Sequence, residues 1–136
     1  MKSVITLGTP HHGTPTAVVG VALLGVGTSA RDLLPRSRVV GALARDSFPA
    51  DIPLTSIYSR ADLVCPHWAS VLRPRPGEET HMANVEVDGV GHSQLVWDPR
   101  VYRIVRDKLT EAADLWRARR APADPAAEDG RDASTG

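Results

Sequence analysis

The sequence is poor in cysteine and carries no excess of either charge. Cys65 is the only cysteine among the 136 residues, so the chain cannot form an internal disulfide, and a zinc site built from cysteines is disfavoured. Arginine and lysine together number 16, as do aspartate and glutamate, so the formal net charge is zero. A neutral chain has no electrostatic preference for nucleic acid or for an anionic membrane, and we predict neither partner.

Long apolar runs are also missing. The first run, Val4–Leu7, is too short to be the apolar part of a signal peptide. The longest, residues 17–26, contains two glycines and is far too short to cross a bilayer. We expect no transmembrane segment and, for the chain as given, a cytoplasmic location. Residues 120–136 have no large apolar side chain and are predicted to be a disordered tail after a single domain over residues 1–119.

Three short stretches have the composition of β-strands. Residues 3–7 form a nearly unbroken apolar run that stops at Gly8, which is typical of a strand buried on both faces of a parallel sheet. Residues 53–59 and 82–87 predict a second and a third strand. Because the connections between these strands are long, we predict an α/β fold with a parallel sheet.

Two stretches predict helices. Residues 37–45 predict a short helix with Ser37 as its N-cap. Asp98 followed by Pro99 is a strong helix start, since an acidic N-cap precedes a proline in the first turn. Apolar residues then recur at helical spacing and are predicted to share one buried face: Val101, Ile104, Val105, Leu109, Ala112 and Trp116.

An aspartate and a histidine follow two of the predicted strands. Asp62 comes just after the second strand and His92 just after the third. The carboxyl ends of parallel strands share one edge of the sheet, so we expect both side chains on a common rim. Gly89 and Gly91 would let the loop turn sharply and bring the imidazole over that rim. A carboxylate there would hold the imidazole as a catalytic base; the alternative is a turn-capping aspartate beside an ordinary loop histidine.

Several segments resemble bacterial lipases and related esterases of the α/β-hydrolase superfamily. Residues 6–14, TLGTPHHGT, are similar to the strand and turn that follow the nucleophile helix of that family. Residues 52–64, IPLTSIYSRADLV, resemble its strand and acid loop, and residues 84–92, NVEVDGVGH, resemble its histidine loop. Residues 95–109 resemble its closing helix. The resemblance covers nearly the whole chain outside the tail, and the motifs occur in the order of the family.

The resemblance implies the C-terminal part of an α/β-hydrolase fold, with about three parallel strands, a lid-like segment over residues 14–50 and a closing C-terminal helix. It implies Asp62 and His92 as the acid and base of a Ser-His-Asp triad, an ester or lipid substrate, no cofactor and no metal. Within the lid-like segment, Leu23 and Leu24 would contact an acyl chain. The alternative for these leucines is burial in a core helix, and periodicity does not decide between a helix and a loop over residues 17–26.

The nucleophile that the resemblance implies is not in the sequence. The family carries its serine in a Gly-x-Ser-x-Gly turn before the acid, and no such motif occurs here. Ser93, in GHSQL, has Leu95 where the second glycine should stand, and no histidine follows it. Ser29, in GTSAR, fails at the same position, so we reject both serines. The loop that donates to the oxyanion is also expected before residue 9.

Adjacent histidines at positions 11 and 12 suggest a metal site as another possibility. The spacing of a His-Glu-x-x-His site is absent, and adjacent histidines in a turn usually point in different directions. We assign neither as a ligand. The remaining residues of ligand type are likewise left unassigned: Asp62, Cys65, His67 and His81.

The sequence supports two functional hypotheses. In the first, the chain is the C-terminal part of a serine carboxylic-ester hydrolase, inactive alone because His92 has no nucleophile to activate. Since many similar lipases are secreted, secretion of a longer parent enzyme stays open. In the second, the chain is a non-catalytic remnant or interaction module. Val4–Leu7 is predicted as an interior strand that lacks one neighbour, so its open edge could accept a strand from a partner polypeptide.

Overall fold

A three-stranded parallel sheet organises the part of the chain that the structure describes, which in this computed structural model is residues 3–18, 31–43 and 45–120. The elements follow in chain order: strand β1 (Val4–Leu7), helix α1 (Arg38–Leu43), strand β2 (Leu54–Tyr58), helix α2 (His67–Ser70), strand β3 (Met82–Glu86), a 3₁₀ helix (Ser93–Val96) and helix α3 (Pro99–Arg120). The three strands coincide with the predicted ones to within one residue at each end. Helix α2 and the 3₁₀ helix were not predicted.

The strands are parallel and lie in the order β1-β2-β3. Leu7 is level with Ile57, and Ile57 is level with Val85, so the three carboxyl ends reach the same edge of the sheet. The predicted α/β class with parallel strands is therefore confirmed. The finer assignment to the C-terminal part of an α/β-hydrolase with a lid stays a prediction, as do the domain boundaries.

Helix α3 covers one face of the sheet and forms the core with it. The alternation of side chains along each strand places one set of apolar residues on this face. The buried cluster consists of Ile57, Val87, Val90, Leu95 and Val101, and the partly buried side chains packed against it are Ile5, Leu7, Val85, Ile104 and Val105. The residues that follow β3 thus contribute to the core as much as the strand does, which anchors the loop that carries His92.

Helix α3 begins where the sequence predicts, but its apolar face is only partly buried. The carboxylate of Asp98 accepts a hydrogen bond from the backbone N–H of Arg100 at 2.8 Å, as an N-cap residue should. Ala112 is buried, whereas Leu109 and Trp116 remain exposed, so the prediction is wrong for these two. Ala112 lies between these two residues in the chain, so the buried face of the helix is narrower than the apolar face predicted from the spacing.

Smaller differences concern the ends of elements. Ser37 caps α1 as predicted, since its Oγ accepts from the N–H of Val40 at 3.1 Å, but the helix ends at Leu43. Helix α3 includes Arg120, one residue into the predicted tail. Residues 121–136 lie outside the described part of the chain, as do Leu23, Leu24 and most of the apolar stretch around them. Of the described helices, none has the length and apolarity needed to cross a membrane.

Strand β1 lies at the edge of the sheet in the described part of the chain. It pairs with β2 alone, and each of its four residues is only partly buried, whereas Leu54–Ile57 of β2 are fully buried. The prediction of a strand buried on both faces is therefore wrong for β1 as it stands. The composition of an interior strand combined with an unpaired edge makes β1 the place where a further strand would fit.

The face of the sheet opposite α3 is less well filled. A groove of about 510 Å³ lies between this face and α1. Its floor comes from alternate strand residues, including Val4, Leu54 and Met82, and its wall includes Val40 and Phe48. Parallel sheets normally have both faces covered by helices, so this face and the edge of β1 are incompletely covered by the described residues.

Candidate active site

The structure brings together the aspartate and the histidine that follow β2 and β3. Nδ1 of His92 donates a hydrogen bond to Oδ2 of Asp62, with 2.7 Å between the two atoms. The Asp62 side chain is 1% exposed and the His92 side chain is 36% exposed. A short bond to a buried carboxylate, at the carboxyl edge of a parallel sheet, is the geometry that orients an imidazole for proton transfer.

The turn after β2 holds the Asp62 carboxylate by itself. Its Oδ1 accepts from the N–H of Val64 at 2.9 Å and from the N–H of Cys65 at 2.7 Å. The backbone N–H of Asp62 donates to the carbonyl of Ser59, which closes the turn. Asp62 therefore caps its own turn with one oxygen and contacts His92 with the other. The two interpretations of this residue from sequence are compatible, since each uses a different oxygen.

The loop after β3 brings the imidazole back over the sheet edge. Gly89 has φ of +70°, a left-handed conformation that suits glycine, so the predicted sharp turn is present there. Gly91 has no such conformation; its N–H donates to Oε1 of Gln94 at 2.8 Å. His92 is the N-cap residue of the 3₁₀ helix, and buried Leu95 anchors that helix in the core. With Nδ1 donating to Asp62, a neutral imidazole has its lone pair on Nε2.

Gly8 leaves the space in which Asp62 and His92 pack, and this role was not predicted from the sequence. It follows β1 directly and has φ of +54°. A Cβ at this position would lie 2.9 Å from Oδ2 of Asp62, 2.9 Å from Cδ1 of Leu95 and 3.1 Å from Nδ1 of His92. The only signal in the sequence was a glycine at the end of a predicted strand, at the same edge as the two polar residues.

The other residues considered from sequence take structural positions. Nε2 of His11 shares a hydrogen bond with Oγ1 of Thr6 at 3.0 Å, and Nε2 of His12 donates to the carbonyl of Val71 at 2.9 Å. Burial, with a smaller contribution from the neighbouring His12, lowers the pKa of His11. Within residues 3–18, 31–43 and 45–120, no three His, Cys, Asp or Glu side chains are grouped so that they could hold a metal ion.

Neither Cys65 nor Ser93 is placed as a nucleophile. Burial raises the pKa of the Cys65 thiol, and although a hydrogen bond from Ser70 opposes that rise, the nearby Asp62 adds to it. A buried thiol with a raised pKa stays protonated at neutral pH and is a poor nucleophile. Ser93 is the first residue of the 3₁₀ helix, and in the described part of the chain no hydrogen bond joins it to His92.

The loops around the pair expose large apolar side chains. Leu63, next to Asp62, is 86% exposed, and Trp97, at the end of the 3₁₀ helix, is 78% exposed. Val64 and Val96 beside them are also exposed. Both loops thus present apolar surface next to the pair formed by Asp62 and His92. Such surface suits contact with an apolar ligand or with another polypeptide.

A comparison of the sequence with known protein families and with curated proteins finds no match. A function for this chain therefore has to be argued from the chemistry of the site.

Proposed function

We propose that this chain supplies the acid and the base of a serine carboxylic-ester hydrolase, whose serine comes from outside the present sequence. The observation that carries the proposal is the 2.7 Å hydrogen bond between Nδ1 of His92 and the buried carboxylate of Asp62. The position of the pair at the carboxyl edge of a parallel sheet adds support, because active sites of α/β enzymes form there.

In each half of the proposed reaction, His92 accepts one proton and gives it up again, so the pair gains no net charge over a cycle. The incoming serine hydroxyl gives its proton to Nε2 of His92 as its oxygen attacks the ester carbonyl. The imidazolium then donates that proton to the leaving alkoxide, and an acyl-enzyme remains. Water then attacks the acyl-enzyme and gives a proton to Nε2, and His92 returns that proton to the serine oxygen as the carboxylic acid leaves. Asp62 keeps Nδ1 protonated and stabilises the imidazolium without accepting the proton.

The substrate is proposed to be an ester with an apolar acyl or alkyl part. The exposed side chains of Leu63 and Trp97, on the two loops that carry the pair, favour an apolar substrate over a charged one. No metal or redox cofactor has a role in this chemistry. The oxyanion donors, which supply a large part of the rate in acyl transfer, are expected to come with the serine.

Complementation tests the proposal. The reading frames upstream of the Met1 codon are searched for a strand followed by Gly-x-Ser-x-Gly and a helix, and that polypeptide is co-expressed with the chain. We expect hydrolysis of a short-chain nitrophenyl ester only when both polypeptides are present. His92→Ala should then lower kcat by roughly 10³-fold or more, because triad members act as a unit. His67→Ala, at the start of α2, is the matched control and should leave the rate unchanged.

Two outcomes would count against the hydrolase. If no upstream frame encodes a serine turn, the proposal lacks a nucleophile from the same locus. If the chain alone turns over the ester and Ser93→Ala abolishes that activity, the nucleophile lies within the chain and the assignment of an external serine is wrong.

The alternative proposal is a non-catalytic interaction module, favoured by the edge of β1 and the groove beside it. The edge pairs with no strand in the described part of the chain, and the groove of about 510 Å³ next to it has a largely apolar lining. A polypeptide that contributes a strand and a helix would cover both surfaces. Stable binding of the upstream polypeptide without ester turnover, unaffected by His92→Ala, would favour this function over the hydrolase.

A further inference from the structure

Ser59 is a fully buried hydroxyl between the two loops that carry Asp62 and His92. It follows Tyr58, the last residue of β2, and has no exposed surface. Its Oγ accepts two hydrogen bonds, one from the N–H of Ala61 and one from the N–H of Val90, each at 3.2 Å. A hydroxyl oxygen has two lone pairs, so these two donors use its full accepting capacity.

The first of these bonds is local and the second is not. The bond from Ala61 spans two residues and, together with the bond from the N–H of Asp62 to the carbonyl of Ser59, closes the acid turn. The bond from Val90 spans 31 residues and reaches the histidine loop two positions before His92. One oxygen atom thus joins the turn that holds the carboxylate to the loop that holds the imidazole.

The backbone hydrogen bonds of the sheet end before Val90, so a side chain has to accept the hydrogen bond from its N–H group. The last backbone bond between β2 and the chain after β3 runs from the N–H of Val87 to the carbonyl of Tyr58 at 2.8 Å. Beyond it the histidine loop turns at Gly89, and the N–H of Val90 is buried. Buried backbone N–H groups require an acceptor, and Oγ of Ser59 supplies it where the backbone ladder has ended.

We propose that Ser59 is a positioning residue, which sets the distance between Asp62 and His92 by bonding the histidine loop to the acid turn. Its Oγ bonds to the N–H groups of Ala61 and Val90, so it acts on the histidine loop through Val90. Its importance for catalysis rests on the proposed function, but its effect on the hydrogen bond between the pair does not. That bond can therefore be measured on the chain without any turnover.

The test compares Ser59→Ala with Ser56→Ala in the full chain. Ser56 lies in β2, three residues before Ser59, is equally buried, and its Oγ donates to the carbonyl of Ser70 at 2.7 Å, away from the histidine loop. Each variant therefore loses one buried hydroxyl, but only Ser59→Ala removes an acceptor for an N–H group of the histidine loop. Urea unfolding of both variants checks that they are folded under the conditions used.

The readout is the Nδ1 proton of His92 in nuclear magnetic resonance spectra of ¹⁵N-labelled chain, assigned by its absence in His92→Gln. We expect this proton to be present and slowly exchanging in the parent chain and in Ser56→Ala. In Ser59→Ala its exchange with water should be about tenfold faster or more, since the loop loses the bond that holds it closed. A shift of the ring proton towards Nε2 would accompany that loss.

Unchanged exchange in a folded Ser59→Ala chain would overturn the proposal, as would an equal acceleration in both variants. If Ser59→Ala does not fold, Ser59→Cys is read in the same way, because a thiol fills the space but accepts more weakly. Faster exchange in Ser59→Cys supports the role of the oxygen, and exchange at the parent rate overturns it. Failure of the complementation assay has no bearing on this measurement, so the two proposals fail separately.

Discussion

The turn that carries Asp62 and the loop that carries His92 are held in place in different ways. The acid turn is held from within, since two backbone N–H groups of the turn donate to the carboxylate itself. The histidine loop is held from outside, by the bond from Val90 to Ser59 and by the burial of Leu95. The carboxylate is almost fully buried, whereas more than a third of the imidazole is exposed.

This difference matches the different tasks that the two residues have in the proposed reaction. An acid that only orients its partner needs no contact with substrate and can be buried in its own turn. A base has to reach the nucleophile, so its ring must be exposed and its position must come from neighbouring elements. Substitutions in the acid turn should therefore affect mainly stability, and substitutions around the histidine loop mainly the geometry of the pair.

The largest effect is expected for Asp62→Ala. The substitution removes the acceptor of two N–H groups in the turn and of the imidazole, so we expect a loss of about 2–4 kcal/mol in the free energy of unfolding. Urea unfolding measures it. His92→Ala should cost about 1 kcal/mol, because only one of the bonds to the carboxylate is lost. Equal losses for the two variants would contradict the comparison between the two loops.

Gly8→Ala should come next. A methyl group there would lie 2.9 Å from Oδ2 of Asp62, and the residue has φ of +54°, so we expect a loss of about 1–3 kcal/mol. Gly41→Ala is the matched control. Its Cβ would meet only the end of the Arg45 side chain at 3.8 Å, and inside α1 the change should stabilise by about 0.5–1 kcal/mol. Urea unfolding of both variants should give opposite signs.

Gly89→Ala separates backbone strain from contact. Gly89 has φ of +70°, but a Cβ there meets nothing within 4 Å. We expect a loss of about 1 kcal/mol from the backbone conformation alone. The midpoint of thermal unfolding of Gly89→Ala should therefore lie between that of the parent chain and that of Gly8→Ala. If Gly89→Ala is as unstable as Gly8→Ala, the close approach of Gly8 to Asp62 and His92 does not contribute to the loss of stability in Gly8→Ala.

A smaller effect, visible only in acid, is expected at the start of α3. Hydrogen bonds from the side chain and backbone of Arg100 lower the pKa of Asp98 from 3.8 to about 2. Since the folded pKa is the lower one, this contribution to stability is complete above the unfolded pKa and is lost as the pH falls from 3.8 towards 2. Asp98→Asn should lower the midpoint of thermal unfolding at pH 5 and leave it nearly unchanged at pH 2. A constant difference between the two chains would show that Asp98 is not the group that titrates.

The smallest effect is expected for Arg60→Ala. The guanidinium bonds Glu86 at 2.8 Å and so links the ends of β2 and β3, but the pair is exposed to solvent. Exposed pairs are screened by water and salt, so we expect no measurable change in the urea midpoint. A loss of stability comparable with that of Asp62→Ala would mean that the exposed ion pair of Arg60 and Glu86 also holds the two loops in place.

Local patterns in the sequence were enough to predict the strands, the start of α3 and the positions of Asp62 and His92 just after two strands, whereas their pairing as acid and base was what the family resemblance implied. Each depends on neighbours in the chain: a β-branched run, an acid before a proline, or a polar residue just after a strand. The roles of Gly8 and Ser59 were not predicted because each depends on a residue far along the chain. Gly8 lies close to Asp62, which is 54 positions away, and Ser59 bonds to Val90, which is 31 positions away. Nothing in the local pattern distinguishes them from ordinary small residues.

Burial was predicted less well than secondary structure. Helical spacing correctly placed Val101 and Ala112 on the face towards the sheet. It could not tell that Leu109 and Trp116 would stay exposed, because periodicity identifies a face of a helix and does not say how much of the width of that face becomes buried. The same limit applies to β1, whose composition is that of an interior strand and which lies at the edge of the sheet among the described residues.

Amino-acid order alone decides which segments become strands, where α3 starts and which two polar residues stand at neighbouring strand ends, because these follow from short-range sterics, capping and side-chain alternation. The folded chain decides the rest. Only in the folded chain does His92 bond to Asp62 at 2.7 Å. Only there does Gly8 lie against this pair and the hydroxyl of Ser59 join the two loops. Such contacts join residues far apart in the chain, and packing of the whole sheet is what sets their distances.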